Sequence, residues 1–192
     1  MSSERKTYLT PEEYLALDRK AEARSEYLDG DMVAMSGGSR EHHLIVANAV
    51  AELISRLKGR PCEVYPSNMR LKVSATGLYT YPDITIVCGE PKFEDQKGDT
   101  LLNPAVVMEV LSDSTESYDR GAKFAHYRKV PSIAEYILIS QRAYNIEQYV
   151  RQPDGPWSRS EARTLKGILE LPSIQCSIPL SELYDRIVPS AN

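Results

Sequence analysis

The chain has 192 residues, 42% of them apolar and 26% charged, which suits a soluble globular fold large enough to bury a core. No apolar run approaches the ~18 residues of a membrane-spanning helix, and the polar start from Met1 to Thr10 carries no secretory pattern, so a cytoplasmic location is expected. A net charge of −4 argues against a protein that coats nucleic acid by charge alone, but not against a site whose carboxylates are offset by bound metal.

Residues 1–192 read as one domain, with 1–8 as a flexible tail. Thr10-Pro11-Glu12-Glu13 has the form of a capping box with proline at the first helical position, predicting a helix to about Glu22. Glu26 to Val33 reads as a hairpin turning at Asp29-Gly30. Ser39 can cap a helix from Arg40 to Lys58, with Leu44, Ala47, Val50, Ala51, Ile54 and Leu57 as its apolar stripe. The stretch 40–72 holds six basic side chains against three acidic ones, which a solvated helix face explains as well as a binding surface does.

Strands are expected at Cys62 to Tyr65, Met69 to Val73 and Tyr81 to Cys88, followed by a charged loop over 89–103. That loop is a candidate for any substrate specificity, since no separate reading domain is visible. The near-continuous apolar run from Ala105 to Leu111 predicts a central strand covered on both faces. A helix is expected from Tyr118 to Lys129, closed by Pro131, then strands at Tyr136 to Ile139 and Ile146 to Arg151 and a peripheral hairpin beyond Pro153. The sum is α/β: a mixed sheet flanked by helices with peripheral β-hairpins. Cys62, Cys88 and Cys176 form no CxxC pair and read as buried free thiols.

Glu109 is the most informative residue. It interrupts Val106-Val107-Met108-Glu109-Val110-Leu111, where an unpaired carboxylate would cost several kcal/mol. It therefore needs a cation, a hydrogen-bond cluster or a metal. Asp83 precedes the apolar run Ile84 to Cys88, and neighbouring strands would bring it to Glu109. Two such carboxylates suit magnesium or manganese, or serve as a strand-start aspartate and a structural salt bridge. Lys123 shares a helix face with Asp119 and Tyr127; it can reach the carboxylates or simply pair with Asp119 at the surface. Glu26 is a third acidic candidate or a strand-face charge, and His43 a substrate contact or a surface histidine. The twelve tyrosines fit base stacking and ordinary packing equally. No Walker loop, dinucleotide GxGxxG or G-x-S-x-G is present, so no organic cofactor is expected.

Tyr81-Pro82-Asp83-Ile84, Val107 to Ser112, Tyr118 to Lys123 and Tyr127-Arg128, together with Thr10 to Tyr14 and Glu26 to Gly30, resemble a bacterial restriction-endonuclease family of the PD-(D/E)xK nuclease superfamily. The resemblance runs from about residue 8 to about residue 185 and rests on order and spacing. It implies a restriction-endonuclease-like core and a magnesium- or manganese-dependent endonuclease acting on DNA as a homodimer. Asp83 and Glu109 would be the metal-binding acids, and Lys123, Glu26, His43 and Tyr127 would stand around them. The pattern departs at position 111, where leucine stands in place of the usual lysine. Lys123 on the next helix would substitute for it. A nucleic-acid-binding or regulatory protein without turnover is the alternative reading.

Overall fold

The structure, a computed structural model, describes residues 8–189; of the expected tail, residues 1–7 lie outside the described residues. Helix α1 (Pro11–Asp18) starts as expected: the Thr10 hydroxyl accepts from the Glu13 amide at 3.2 Å, and Glu13 Oε2 accepts from the Thr10 amide at 2.8 Å. It ends four residues short of Glu22. Asp18 is fully buried, and its carboxylate takes the Ser25 amide at 3.1 Å and the Arg70 guanidinium at 2.7 Å.

Strands β1 (Ser25–Leu28) and β2 (Asp31–Ala34) turn at Asp29 and Gly30, with φ of 50° and 87°, as a two-residue hairpin with both central residues left-handed requires. Helix α2 spans Arg40–Leu57 and is capped by Ser39. Its buried stripe is Ile45, Ala49, Leu53 and Leu57, of which only Leu57 was expected; Ile54 is exposed. The most crowded apolar spacing is the wrong guide, because Val50 and Leu44 only flank the seam, packing partly buried beside the core.

The strand expected over 81–88 starts late, as β6 (Ile84–Cys88), and a separate short strand that was not expected, β5 (Leu78–Thr80), precedes it; β5 joins one sheet and β6 another, with Pro82-Asp83 where the chain crosses between them. With β3 (Cys62–Pro66), β4 (Arg70–Val73), β7 (Thr100–Leu101), β8 (Val106–Leu111), β9 (Glu135–Ser140), β10 (Ile146–Arg151) and β11 (Trp157–Ala162), two mixed sheets form. Their orders are β2-β1-β5-β4-β7 and β11-β10-β9-β8-β6-β3. β8 lies inside the larger sheet, parallel to β9 and antiparallel to β6, as its apolar run predicts. The region past Pro153 is less peripheral than expected: β11 extends the main sheet, and the hairpin β12 (Ile168–Leu171) with β13 (Cys176–Pro179) enters the core.

Side chains alternate across the larger sheet. Val106, Met108 and Val110 face α2, β12, β13 and helix α5 (Leu180–Leu183). Val107 and Leu111 face Leu71, Val73 and Leu78 of the smaller sheet, with Tyr127 and Ile133. Glu109 shares their parity and so points into the layer between sheet and sheet.

The two paired cysteines correct the free-thiol expectation. Cys62 and Cys88 lie directly opposite in the β3–β6 register and form a disulfide, while Cys176 is free and buried. Apolar flanks alone give no sign that these strands pair edge to edge at those positions. Many of the tyrosines serve packing: Tyr14 and Tyr27 stack with ring centroids 4.9 Å apart, and Tyr79 meets Tyr27 edge-on at 5.8 Å.

Arg70, 2% exposed, locks α1 to the smaller sheet by reaching Asp18 at 2.7 Å and the Thr100 hydroxyl at 2.7 Å. Arg70→Ala leaves Asp18 a buried, unpaired charge and is expected to lower unfolding stability by ~3–5 kcal/mol in urea titration. A loss under ~1 kcal/mol, the range of a surface ion pair, would disprove this role.

Candidate active site

Asp83 and Glu109 converge because β6 and β8 are neighbours. Ile84 pairs with Met108, so Asp83 stands one residue beyond the paired strand, beside Glu109. The Asp83 amide approaches Glu109 Oε2 at 3.4 Å, and Asp83 Oδ2 accepts the Val110 amide at 2.8 Å. Glu109 Oε1 accepts from the Tyr127 hydroxyl at 2.8 Å.

Lys123 arrives from a short helical segment. Helix α3 (Glu116–Tyr118) passes through a π turn at Asp119–Lys123 into α4 (Phe124–Tyr127), where a continuous α-helix was expected. A π turn widens the spacing and is common beside functional sites. Here Asp119, Lys123 and Tyr127 are all buried. Lys123 Nζ lies 3.2 Å from Glu109 Oε1, 3.2 Å from Glu26 Oε1 and 3.1 Å from Asp119 Oδ1. Its ammonium also stands 5.5 Å from the centre of the Tyr118 ring. Glu26 comes from β1, where its Oε1 also accepts from the Thr80 hydroxyl at 2.5 Å.

The structure thus assembles Asp83, Glu109, Lys123, Glu26 and Tyr127. It does not assemble His43, which is exposed; the neighbouring His42 supplies the histidine, its Nε2 2.9 Å from Asp83 Oδ1. Helix phase explains the exchange, since His42 stands three residues before Ile45 on the buried stripe. Gly38 permits that seat: a Cβ there would lie 2.7 Å from His42 Cδ2. Asp119 and Tyr118 join as partners of Lys123. Asp83, Glu109, Lys123, Glu26, His42, Asp119 and Tyr118 line an open cleft of about 690 Å³ that is walled also by residues 33–38 and by Ser112, Ser114 and Thr115; Tyr127, fully buried, does not line it. The loop 89–103 does not line it. Arg19 holds that loop to α1 instead, through Asp99 at 2.7 Å and Asp95 at 2.7 Å.

Charge is unevenly compensated. Burial pushes the Glu109 carboxyl up to about 8, and Asp119 and Asp83 add to the rise, outweighing Lys123 and the Tyr127 hydrogen bond. Burial alone would lower Lys123, but Glu109, Glu26 and Asp119 hold it well above the ordinary lysine value, so it stays an ammonium. Burial would lower His42 as well, and the Asp83 hydrogen bond and charge reverse it. Four acidic side chains, Asp83, Glu109, Glu26 and Asp119, therefore surround one ammonium and one titratable histidine.

A carboxyl raised from 4.5 to about 8 binds its proton more tightly folded than unfolded. Its contribution is complete below the unfolded value and is lost as pH rises through the folded one. The metal-free protein is expected to lose on the order of a few kcal/mol between about pH 4.5 and pH 8. Glu109→Gln should flatten that fall; identical profiles in denaturant titrations of the two proteins would contradict it.

The sequence model of the Uma2 family, described as "Putative restriction endonuclease", matches residues 11–181. Two proteins of Synechocystis sp. (strain ATCC 27184 / PCC 6803 / Kazusa) are similar. Uncharacterized protein sll1609 is 35% identical over 153 residues, spanning 80% of this chain and 86% of its own. Uncharacterized protein slr1290 is 36% identical over 177 residues, spanning 92% and 91%. Among solved structures, a putative nuclease belonging to DUF820 from Anabaena variabilis ATCC 29413 shares the fold at a TM-score of 0.74 and 19% identity, over 91% of this chain and 97% of that one. With its family match running through nearly every element of both sheets, the chain belongs to the Uma2 family of putative restriction endonucleases.

Proposed function

We propose that the chain is a metal-dependent DNA endonuclease whose active site is the cleft around Glu109. The observation that carries this reading is the meeting of Asp83, Glu109 and the Lys123 ammonium in one open cleft, with Lys123 3.2 Å from Glu109. Among the described residues no three His, Cys, Asp or Glu side chains stand together as a complete metal cage. Magnesium does not need one: it keeps several waters and binds through one or two carboxylates plus substrate phosphate. Asp83 and Glu109 fit that demand, and the local excess of carboxylates favours a divalent cation. Magnesium or manganese held there would polarise the scissile phosphate and acidify a bound water.

The side chains do the rest. Asp83 is fixed by the Val110 amide and by His42, and Glu109 by Tyr127, so both carboxylates are held before substrate enters. The Lys123 ammonium orients the attacking water and stabilises charge that develops on the phosphate oxygens. Glu26 and Asp119 hold that ammonium in place. Double-strand cleavage calls for two such sites, which a homodimer would provide.

A non-catalytic nucleic-acid-binding protein is the second reading, favoured by the enclosure of Lys123 among three carboxylates. Calorimetry and plasmid cleavage separate the two. Wild type is expected to bind magnesium or manganese and to nick or linearise DNA. Asp83→Ala combined with Glu109→Ala should abolish both, and Lys123→Met should cut the rate by about 10²–10³ at retained metal binding. Metal-supported cleavage that survives in the double variant would refute the catalytic assignment. DNA binding by wild type without turnover in any divalent cation would establish the second reading.

A further inference from the structure

A second concavity, of about 670 Å³, lies away from the cleft against α4, β10 and β11. All of its charged lining residues are basic: Arg128, Lys129, Arg151 and Arg159. That is a local reversal in a chain of net charge −4. Phe124, Tyr149 and Trp157, each half-buried, line it with them.

The wall is built rigidly. Arg151 donates to the carbonyls of Ile133, Arg128 and Val130 at 2.9 Å each, and its guanidinium lies 4.7 Å from the Trp157 ring centre. Phe124 meets Tyr149 at 4.5 Å and Trp157 edge-on at 5.3 Å between centroids. Arg159 is already paired, with Glu147 at 2.8 Å and with Glu161. Arg128 and Lys129 are exposed, and among the described residues neither has an ion pair. Burial, followed by the nearby Arg128 charge, holds Arg151 below the usual arginine value, as expected where positive groups crowd without a counter-ion.

We propose that this groove binds a segment of single-stranded nucleic acid, with Arg128 and Lys129 meeting phosphates and Trp157 and its neighbouring rings stacking on bases. Exposed cations beside accessible rings are the combination that such strands need, since phosphates supply the charge and every base offers a π face. A folded duplex keeps its bases stacked and offers the rings nothing. The choice of nucleic acid rests on the nuclease reading, but the groove shares no lining residue with the cleft. Phe124, the residue after Lys123, places the groove on the other side of the same short helix.

Trp157 is the chain's one tryptophan, so its fluorescence reports this groove alone. The test is titration of the full chain with a short oligothymidylate in EDTA, which reads binding without turnover. Quenching is expected, with affinity falling as salt rises. Arg128→Ala combined with Lys129→Ala should weaken binding at least tenfold and shallow the salt slope by about 1.4, because two phosphates then keep their counterions. Both side chains are exposed, so the fold should survive, and near-UV circular dichroism checks that. No quenching at low salt, or unchanged affinity in the variant, overturns the proposal. Equal binding of inorganic tripolyphosphate also overturns it, because that would mark a simple anion site. A failed cleavage assay leaves this result standing, and a failure here leaves the cleft assignment standing.

Discussion

The structure is organised around the placement of one carboxylate inside an apolar strand. Glu109 is 4% exposed on β8, between two sheets. Isolated there, it would carry a desolvation cost that no neighbouring valine could offset. Three neighbouring segments compensate that cost. The π turn brings Lys123, α4 brings the Tyr127 hydroxyl, and the crossing between sheets brings the Asp83 amide. Lys123 in turn is shared with Glu26 from the smaller sheet and Asp119 from its own helix. One ion cluster therefore joins both sheets and the helix, and it remains short of positive charge.

Much of this is legible in the sequence, for a physical reason. A charge inside an apolar run must be explained by a partner, so Glu109 announces itself. Pro82-Asp83 ahead of another apolar run marks a second strand that could lie beside the first, and β6 does pair with β8. The capping box at Thr10 and the turn at Asp29-Gly30 depend only on local backbone chemistry, and both form as their residues dictate. What the sequence misleads on depends on tertiary geometry. The buried face of α2 is set by the sheet and by the C-terminal hairpin, so Ile45, Ala49 and Leu53 turn inward where other residues were expected, Leu57 alone being shared, and His42 takes the site in place of His43. The Cys62–Cys88 pair depends on strand register, which the apolar pattern of β3 and β6 leaves open. The loop 89–103 looks free because it is charged, yet Asp95 and Asp99 are held by Arg19, and Glu94 by Lys72.

The leucine at position 111 bears on how the site is maintained. Two residues along a strand share a face, so a lysine there would have projected beside Glu109 from the same backbone. Leu111 instead packs with Val107, Tyr127 and Leu138. Moving the cation to a helix gives β8 an apolar contact in its place, but makes the position of the ammonium depend on how that helix docks. The docking is secured away from the cleft. The Tyr136 hydroxyl donates to the Asp119 carbonyl at 3.0 Å, and the Phe124 ring stacks on Tyr136 at 5.1 Å. Tyr136 also meets Tyr127, whose hydroxyl holds Glu109. Phe124, one ring of the basic groove's wall, thus packs through Tyr136 onto the Tyr127 that holds Glu109. A strand seated on Phe124 and Trp157 would press on the helix that positions Lys123, through packed rings that have little room to yield.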